Sequence, residues 1–161
     1  MKKELHMAKI NNLENIPEEF IDDPNFISGL QTQLLGKLAG SKDIYVNIDL
    51  VKPGTESTKY HSHSVQEEFF IILEGTGKLR LNDKEYKIKQ GDFLAKPSGE
   101  NTSHQFINDS DGVLKILDIG TKVENDIVSY PDEDVILVKK LNKAFSLSNA
   151  LDDWSSEPNK H

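Results

Sequence analysis

Short apolar and polar runs alternate along most of the chain, a pattern typical of β-strands. In "DIYVNIDLV" every second residue is apolar, which places Ile44, Val46, Ile48 and Leu50 on one face of a strand. Similar runs are "EFFIILEG", "GKLRLN", "KEYKIKQGDFLAKP", "SHQFIN" and "VLKILDIG", and turn residues such as Gly, Asn, Asp and Pro separate them. Many short strands at about ten-residue spacing predict a sandwich or a barrel.

The two ends of the chain carry different patterns. "NIPEEF" predicts a short helix with Pro17 at its first helical position. Near the C-terminus a strand is predicted from Val135 to Val138, and a short helix that packs on the barrel or frays is predicted from the helical spacing of Leu147, Ala150, Leu151 and Trp154. We therefore expect an N-terminal extension (residues 1–29), a single barrel (30–140) and a C-terminal helix and tail (141–161).

The composition removes several classes of function. The chain has 161 residues and a net charge of −8, which argues against sequence-independent binding to nucleic acid. It has no cysteine, so disulfides, thiolate metal sites and cysteine nucleophiles are excluded. The first residues lack the apolar core of a signal peptide, and no run approaches the roughly 18 apolar residues of a membrane span. We expect a soluble cytoplasmic protein that binds neither nucleic acid nor membrane.

The stretch "HSHSVQEEFFIILEG" carries the candidate chemistry. In a strand, His61 and His63 leave the same face about 6.6 Å apart, and two imidazoles at that separation can converge on one metal ion. Either Glu67 or Glu68 could add a carboxylate on spacing alone. His104 follows a Gly/Pro-rich turn and begins another predicted strand. The alternative is a set of solvated histidines on ordinary strands.

Two motifs in the chain resemble those of the cupins. The first consists of Gly54, His61, His63, Glu68 and Gly75, with one more residue than usual before His61. The second consists of Gly91, Pro97, Gly99, His104 and Asn108, with two additional residues before His104. The six residues between Glu68 and Gly75 favour Glu68 over Glu67. The resemblance covers about Leu30 to Gly120 and implies an all-β fold, a double-stranded β-helix or jelly-roll barrel, with short N- and C-terminal helical segments.

The resemblance also implies a metal site and its surroundings. The ligands would be His61, His63, Glu68 and His104, a set that suits the divalent ions of Zn, Fe, Mn, Ni or Cu. Residues expected to contact a substrate are Phe70, Ile72, Phe93, Lys96, Phe106 and Asp118. The apolar members of this group also suit a plain barrel core, and Lys96 and Asp118 also suit solvated strand positions. A barrel that keeps the motifs without a metal is a further alternative.

Two functions remain open from the sequence. The first is a metal-dependent enzyme, such as an isomerase or dioxygenase, acting on a small polar or anionic molecule. The second is a non-catalytic module that binds or senses a sugar or an acid. A structural role is a third and weaker hypothesis. The resemblance implies a homodimer that uses the outer sheet face and an exchanged N-terminal strand.

Overall fold

A computed structural model describes residues 10–16 and 29–158 of the chain. The described residues contain one α-helix and twelve strands. Their bounds are β1 (Leu30–Gln33), α1 (Leu35–Ala39), β2 (Ile44–Val51), β3 (Ser62–His63), β4 (Glu68–Glu74), β5 (Thr76–Leu81), β6 (Lys84–Lys89), β7 (Phe93–Lys96), β8 (His104–Ile107), β9 (Leu114–Thr121), β10 (Ile127–Tyr130), β11 (Val135–Val138) and β12 (Lys143–Ser146). Short 3-10 turns span Leu13–Asn15, Pro131–Glu133, Lys139–Leu141 and Leu147–Asn149. No helix in this part of the chain is long and apolar enough to cross a membrane.

The strands form three sheets with antiparallel pairing. The largest has the order β1-β2-β9-β4-β7, the smallest has the order β6-β5-β8, and the third has the order β12-β11-β10-β3. Two isolated bridges, Glu56 to Ile107 and His61 to His104, connect the segment before β3 to β8. This organisation confirms the predicted all-β jelly-roll fold. The strand predicted at Val135–Val138 is also confirmed, whereas β10 and β12 were not predicted.

The core lies between the five-stranded and three-stranded sheets. Nine buried apolar residues form one cluster, namely Leu30, Val51, Phe70, Ile72, Leu79, Ile88, Phe106, Leu114 and Ile116. Burial of a side chain of this size contributes about 1.5–3 kcal/mol relative to exposure. Glu68, Phe70 and Ile72 alternate along β4 and are all buried, as the period of two predicts.

The apolar face of β2 is not the face that lines the barrel. Val51 belongs to the core cluster, and Asp49 lines the internal cavity together with Phe70 and Phe106. The alternating apolar residues that begin with Ile44 therefore point to the outer side of the sheet. The strand presents its polar residues to the interior, where they can reach the candidate site.

Asn108 holds the end of β8 against β2. Its side chain is fully buried, and Nδ2 donates to the carbonyl oxygens of Val51 and Gly112, both at 2.8 Å. Its Oδ1 accepts from the backbone N–H and the hydroxyl of Ser110. All four hydrogen-bonding positions of this amide are used, so the residue has a structural function.

The predicted C-terminal helix through Trp154 is wrong. The structure has only the 3-10 turn at Leu147–Asn149, and Leu151 and Trp154 are 74% and 79% exposed. The hydroxyl groups of Ser146 and Ser148 and the backbone N–H of Ser148 all donate to the Asp134 carboxylate. These bonds fix the segment beside β11, and an apolar stripe without a packing partner does not stabilise so short a helix. The helix predicted to begin at Pro17 lies outside the described residues.

Phe93 is expected from the sequence to contact a substrate, with a place in the barrel core as the alternative, and the core alternative is wrong. The side chain is 69% exposed and stacks on Phe69, with 6.1 Å between the ring centroids. In the β4–β7 register Glu68 pairs with Lys96 and Ile71 pairs with Phe93. Because paired residues share a face, Lys96 points inward with Glu68, and Phe93 points outward.

Substitutions at two glycines test how backbone contacts limit the fold. Gly75 and Gly91 share the same backbone torsion, φ +88°. A Cβ on Gly75 would lie 2.5 Å from the carbonyl oxygen of Val113, whereas a Cβ on Gly91 would meet nothing within 4 Å. We expect Gly91→Ala to lower the free energy of unfolding by about 1–2 kcal/mol, the usual left-handed penalty. Gly75→Ala should lower it by about a further 1–3 kcal/mol because of the steric overlap. The measurement is urea unfolding. Equal losses of unfolding free energy in Gly75→Ala and Gly91→Ala would contradict the steric argument.

Candidate metal centre

Three predicted ligands converge inside the barrel. His61, Glu68 and His104 each offer a ligand atom, and these atoms lie within 4.8 Å of one another. Glu68 stands at the start of β4, His104 at the start of β8, and the bridge between His61 and His104 joins the two histidines through their backbones. Two ligands on opposite sides of an ion at about 2.1 Å are about 4.2 Å apart, so a small inward movement would bring all three into bonding range.

His63 lies beside this group. Its Nε2 is 3.4 Å from Glu68 Oε1, and its ring centroid is 5.0 Å from that of His61. The His61–His63 pair therefore faces the same side of the segment, as the spacing predicts. The assignment of all four residues as ligands of one ion stays a prediction.

Hydrogen bonds fix the protonated nitrogen of two of the histidines. His61 Nδ1 is 2.7 Å from the carbonyl oxygen of Lys59, and His63 Nδ1 is 2.6 Å from Asp126 Oδ2. A carbonyl oxygen and an ionised carboxylate can only accept, so Nδ1 carries the proton in both rings. The Nε2 lone pair of each neutral imidazole is then available to an ion.

Lys96 is inside the site. Its ammonium is 2.7 Å from Glu68 Oε2 and 2.6 Å from His104 Nδ1, and the residue is 3% exposed. The alternative of a solvated lysine is therefore wrong. A charged Lys96 donates to His104 Nδ1, which leaves the imidazole proton on Nε2. Binding of an ion to Nε2 of His104 requires this hydrogen bond to break or its proton to move.

Burial controls the charge of the site. It holds the pKa of His104 well below its usual range and, with the nearby His63, lowers the pKa of His61 to about 4. Burial alone would raise the pKa of Glu68, but the charge and hydrogen bond of Lys96 together with the charges of His63 and His61 outweigh it and keep that pKa below its usual range. At neutral pH the site thus holds neutral imidazoles and an ionised carboxylate. This donor set fits a divalent transition metal ion.

A cavity of about 80 Å³ adjoins the three converging residues. Its wall includes the predicted residues Phe70, Phe106 and Asp118, together with Asp49, Ser57, Thr58 and Ile116. Ile72 is a core residue and Phe93 is on the outer face, so neither lines this cavity. Lys96 contacts Glu68 and His104 directly, as described above.

The cavity wall contains an unsatisfied carboxylate oxygen, which belongs to Asp118. Its Oδ1 is buried and has no hydrogen-bond partner among the described residues. Burial, followed by the charge of Asp49, raises the pKa of Asp118 to about 8. Burial likewise raises the pKa of Asp49 to about 6, although Thr32 donates to it at 2.7 Å. A buried acceptor beside an open cavity can receive a hydrogen bond from a ligand.

Several residues near Glu68 were not predicted from the sequence. The Tyr45 hydroxyl donates to Glu68 Oε1 at 2.9 Å, and Gln66 Nε2 donates to the same oxygen at 3.1 Å. The Tyr45 ring lies against Gly120, where an added Cβ would be 2.5 Å from it. The polar alternation of β2 is a signal that could have identified Tyr45 and Asp49. Asp126 and Lys139 have no comparable local signal.

Comparison with known proteins gives a family match for part of the chain. A model described as Cupin domain matches residues 47–120, which include His61, His63, Glu68 and His104. Residues 47–120 form a cupin domain. The chain is also similar to an uncharacterized protein of Methanocaldococcus jannaschii, with 33% identity over 69 residues. That match covers 43% of the chain and 54% of the relative, so it spans about half of the relative's length.

Two solved structures resemble most of the chain. One is a candidate sugar phosphate isomerase from Acidithiobacillus ferrooxidans, with 27% identity, a TM-score of 0.74, and coverage of 78% of this chain and 81% of that chain. The other is a sugar phosphate isomerase of the cupin superfamily from Silicibacter pomeroyi, with 28% identity and a TM-score of 0.73. The second comparison covers 80% of this chain and 85% of that chain.

The raised pKa of Asp118 predicts how stability depends on pH. A carboxyl group whose native pKa is about 8 binds more protons in the native state than in the unfolded state, from its ordinary pKa of 3.8 upward. The free energy of unfolding should therefore fall as pH rises from about 4 to about 8. Asp118→Asn should reduce this fall and be more stable than the wild type near pH 9.

The measurement is urea unfolding at several pH values with a chelator present. Groups that face Asp118 are Tyr45, Asp49, Glu68 and Lys96, and Asp49 contributes a fall of the same sign. The control is Asp111→Asn, which removes an exposed carboxylate from the loop before β9. Identical pH slopes for Asp118→Asn and the wild type would contradict the prediction.

Proposed function

We propose that the protein is a metal-dependent isomerase of a small phosphorylated sugar, with its ion bound by His61, His63, Glu68 and His104. The observation that carries the proposal is the convergence of two histidines and a glutamate on a cavity within a cupin domain. Similarity to two sugar phosphate isomerases supports the reaction class and the substrate class.

A divalent ion in this position would supply Lewis acidity toward a carbonyl or hydroxyl oxygen of the sugar. Interconversion of an aldose and a ketose moves a proton from the carbon beside the carbonyl to the carbonyl carbon, and a hydroxyl proton moves from the neighbouring oxygen to the former carbonyl oxygen. The group that exchanges this proton must be a base in one half-reaction and an acid in the other. Asp118 is suited to this function because its free Oδ1 is beside the cavity and its pKa is near 8.

The cavity is so small that it would enclose only part of a phosphorylated sugar. A volume of about 80 Å³ accommodates the reacting end of a sugar and leaves the remainder outside. A groove nearby is lined by Tyr45, Gln66, Lys42, Lys122 and Lys139, as well as by Asp43 and Glu124. Tyr45 and Gln66 both donate to Glu68, so this groove adjoins the candidate centre. Lys42 and Lys122 of this groove suit the phosphate group of the substrate, whereas Lys139 is paired with Asp126 and Gln66.

The proposal predicts metal content and turnover together. Protein purified without a nickel column should contain close to one transition metal ion per chain, and His61→Ala with His63→Ala should abolish binding while the barrel stays folded. With phosphorylated aldoses and ketoses in D₂O, the protein should catalyse isomerisation with deuterium uptake at the carbon beside the carbonyl. Asp118→Asn should lower kcat by about 10²–10⁴-fold with the metal content unchanged.

Variants of the lysine groove separate phosphate recognition from chemistry. Lys42→Ala with Lys122→Ala should raise KM for a phosphorylated sugar by about tenfold, the effect of about 1.4 kcal/mol. The matched control is Lys143→Ala, which removes an exposed lysine from β12. Metal well below about one ion in ten chains after reconstitution, or metal binding without any turnover, would contradict the isomerase proposal.

A non-catalytic binding module is the second candidate, and Lys96 favours it. Its ammonium already provides a positive charge beside Glu68 and His104, so the site can be electrically balanced without an ion. In that case a polar ligand would hydrogen-bond to Asp118 in the cavity and would dissociate without chemical conversion. Ligand binding measured by calorimetry, with no conversion in the D₂O assay, would favour this function.

Exposed apolar side chains on the outer face of the five-stranded sheet support the proposal of a homodimer. Phe69 and Phe93 stack there and are 38% and 69% exposed, and Ile44 on the same face is 42% exposed. Contiguous apolar side chains on the surface of a monomer are typical of an interface. We expect light scattering to give twice the monomer mass, and Phe93→Glu to shift the mass toward the monomer. Tyr86→Glu, a change on β6 of the opposite sheet, should have no effect. A monomeric wild type would contradict this proposal.

A further inference from the structure

Asp126 is a buried carboxylate that accepts hydrogen bonds from two sides. It lies between β9 and β10, outside the residues matched as a cupin domain, and is 0% exposed. Its Oδ1 accepts from the backbone N–H groups of Ser64 and Val65 at 3.0 and 3.1 Å and from the Ser64 hydroxyl at 3.2 Å. Its Oδ2 accepts from His63 Nδ1 at 2.6 Å and from Lys139 Nζ at 2.9 Å.

Lys139 connects this carboxylate to the other side of the centre. Its ammonium also donates to Gln66 Oε1 at 2.6 Å, which turns the Gln66 amide so that Nε2 can donate to Glu68 Oε1 at 3.1 Å. One lysine thus reaches His63 through Asp126 and reaches Glu68 through Gln66. Lys139 begins the 3-10 turn after β11 and also lies outside the cupin match.

We propose that Asp126 and Lys139 are positioning residues of the candidate metal centre. Asp126 holds His63 as the Nδ1–H tautomer with Nε2 directed at Glu68, and Lys139 fixes Asp126 and Gln66 relative to each other. The value of this arrangement for metal binding rests on the proposed function. The tautomer of His63 is a property of the metal-free protein and does not depend on it.

The donor and acceptor nitrogens of a neutral imidazole explain how Asp126 can fix the tautomer of His63. A neutral histidine has one donor nitrogen and one acceptor nitrogen, so a donor bond from Nδ1 leaves Nε2 as the lone-pair nitrogen. Carboxylates that accept from the outer nitrogen of a ligating histidine orient the ring and increase its basicity. The Asp126 oxygens accept from every side, Oδ1 from the backbone N–H groups of Ser64 and Val65 and Oδ2 from His63 and Lys139. The carboxylate therefore stays ionised and can only accept.

The C-terminal strands provide the framework for this arrangement. β10 pairs with β3, so that Val128 lies opposite His63, and the Ser64 N–H donates to the carbonyl oxygen of Ile127 at 2.9 Å. The Lys139 N–H donates to the carbonyl oxygen of Asp126 at 3.1 Å. The segment from Asp126 to Lys139 therefore belongs to the centre, although it follows the cupin match in the chain.

Asp126→Asn is the decisive variant. The asparagine Oδ1 can keep the three donors from Ser64 and Val65, while its NH₂ replaces Oδ2 and faces His63. A donor in this position requires His63 to accept at Nδ1 and to carry its proton on Nε2. In the metal-free protein, the imidazole ¹⁵N shifts of His63 should report Nδ1–H in the wild type and Nε2–H in the variant. The affinity for Zn²⁺ should fall by about 10–100-fold.

Two further variants separate positioning from stability. Lys139→Met should keep the Nδ1–H tautomer of His63 but weaken Zn²⁺ binding, because Gln66 is no longer held. Asp132→Asn is the matched control, since it removes a carboxylate that pairs with Arg80 at 2.5 Å in the turn between β10 and β11. This control should leave both the tautomer and the Zn²⁺ affinity unchanged.

The outcomes distinguish this proposal from the proposed function. Nε2–H in the metal-free wild type overturns the positioning proposal, whether or not Asp126→Asn folds. Equal losses of Zn²⁺ affinity in Lys139→Met and Asp132→Asn also overturn it, because the effect would then be general. If the wild type binds no Zn²⁺ but the tautomer switches as expected, the positioning of His63 stands and the metal function fails.

Discussion

The need to balance charges in an apolar barrel governs the structure around the centre. Glu68 is nearly inaccessible to water, and an isolated carboxylate there would be strongly unfavourable. It is stabilised by Lys96 at 2.7 Å and by donors from Tyr45 and Gln66. The same balance is repeated at Asp126, which is fully buried and accepts from five donors. Glu68 and Asp126 are both tolerated because other segments of the chain carry their partners.

These charge pairs also explain why the sheets cannot be considered separately. Glu68 comes from the five-stranded sheet, His104 from the three-stranded sheet and His63 from the four-stranded sheet. The centre is therefore located where all three sheets meet. The cavity lies there, whereas aliphatic side chains fill the core around Ile72 and Leu114.

Much of the fold and part of the centre could be predicted from local sequence. The alternation in "EFFIILEG" placed Glu68, Phe70 and Ile72 on one buried face, and the two motifs selected His61 and His104, which converge with Glu68. These features depend on residues a few positions apart. An inward orientation of Phe93 could not be tested from local sequence and is wrong. The orientation depends on the β4–β7 register, which links residues more than twenty positions apart in the chain.

The sequence by itself determined the strand pattern, the jelly-roll class and the histidines and glutamate that can act as ligands, because strand period and motif spacing are local properties. Only the tertiary structure decided that Lys96 enters the site, that Asp118 keeps a free oxygen beside the cavity, and that Asp126 and Lys139 complete the surroundings of His63. These contacts join strands that are distant in the chain. Their formation depends on sheet pairing and on the requirement that buried charges find partners.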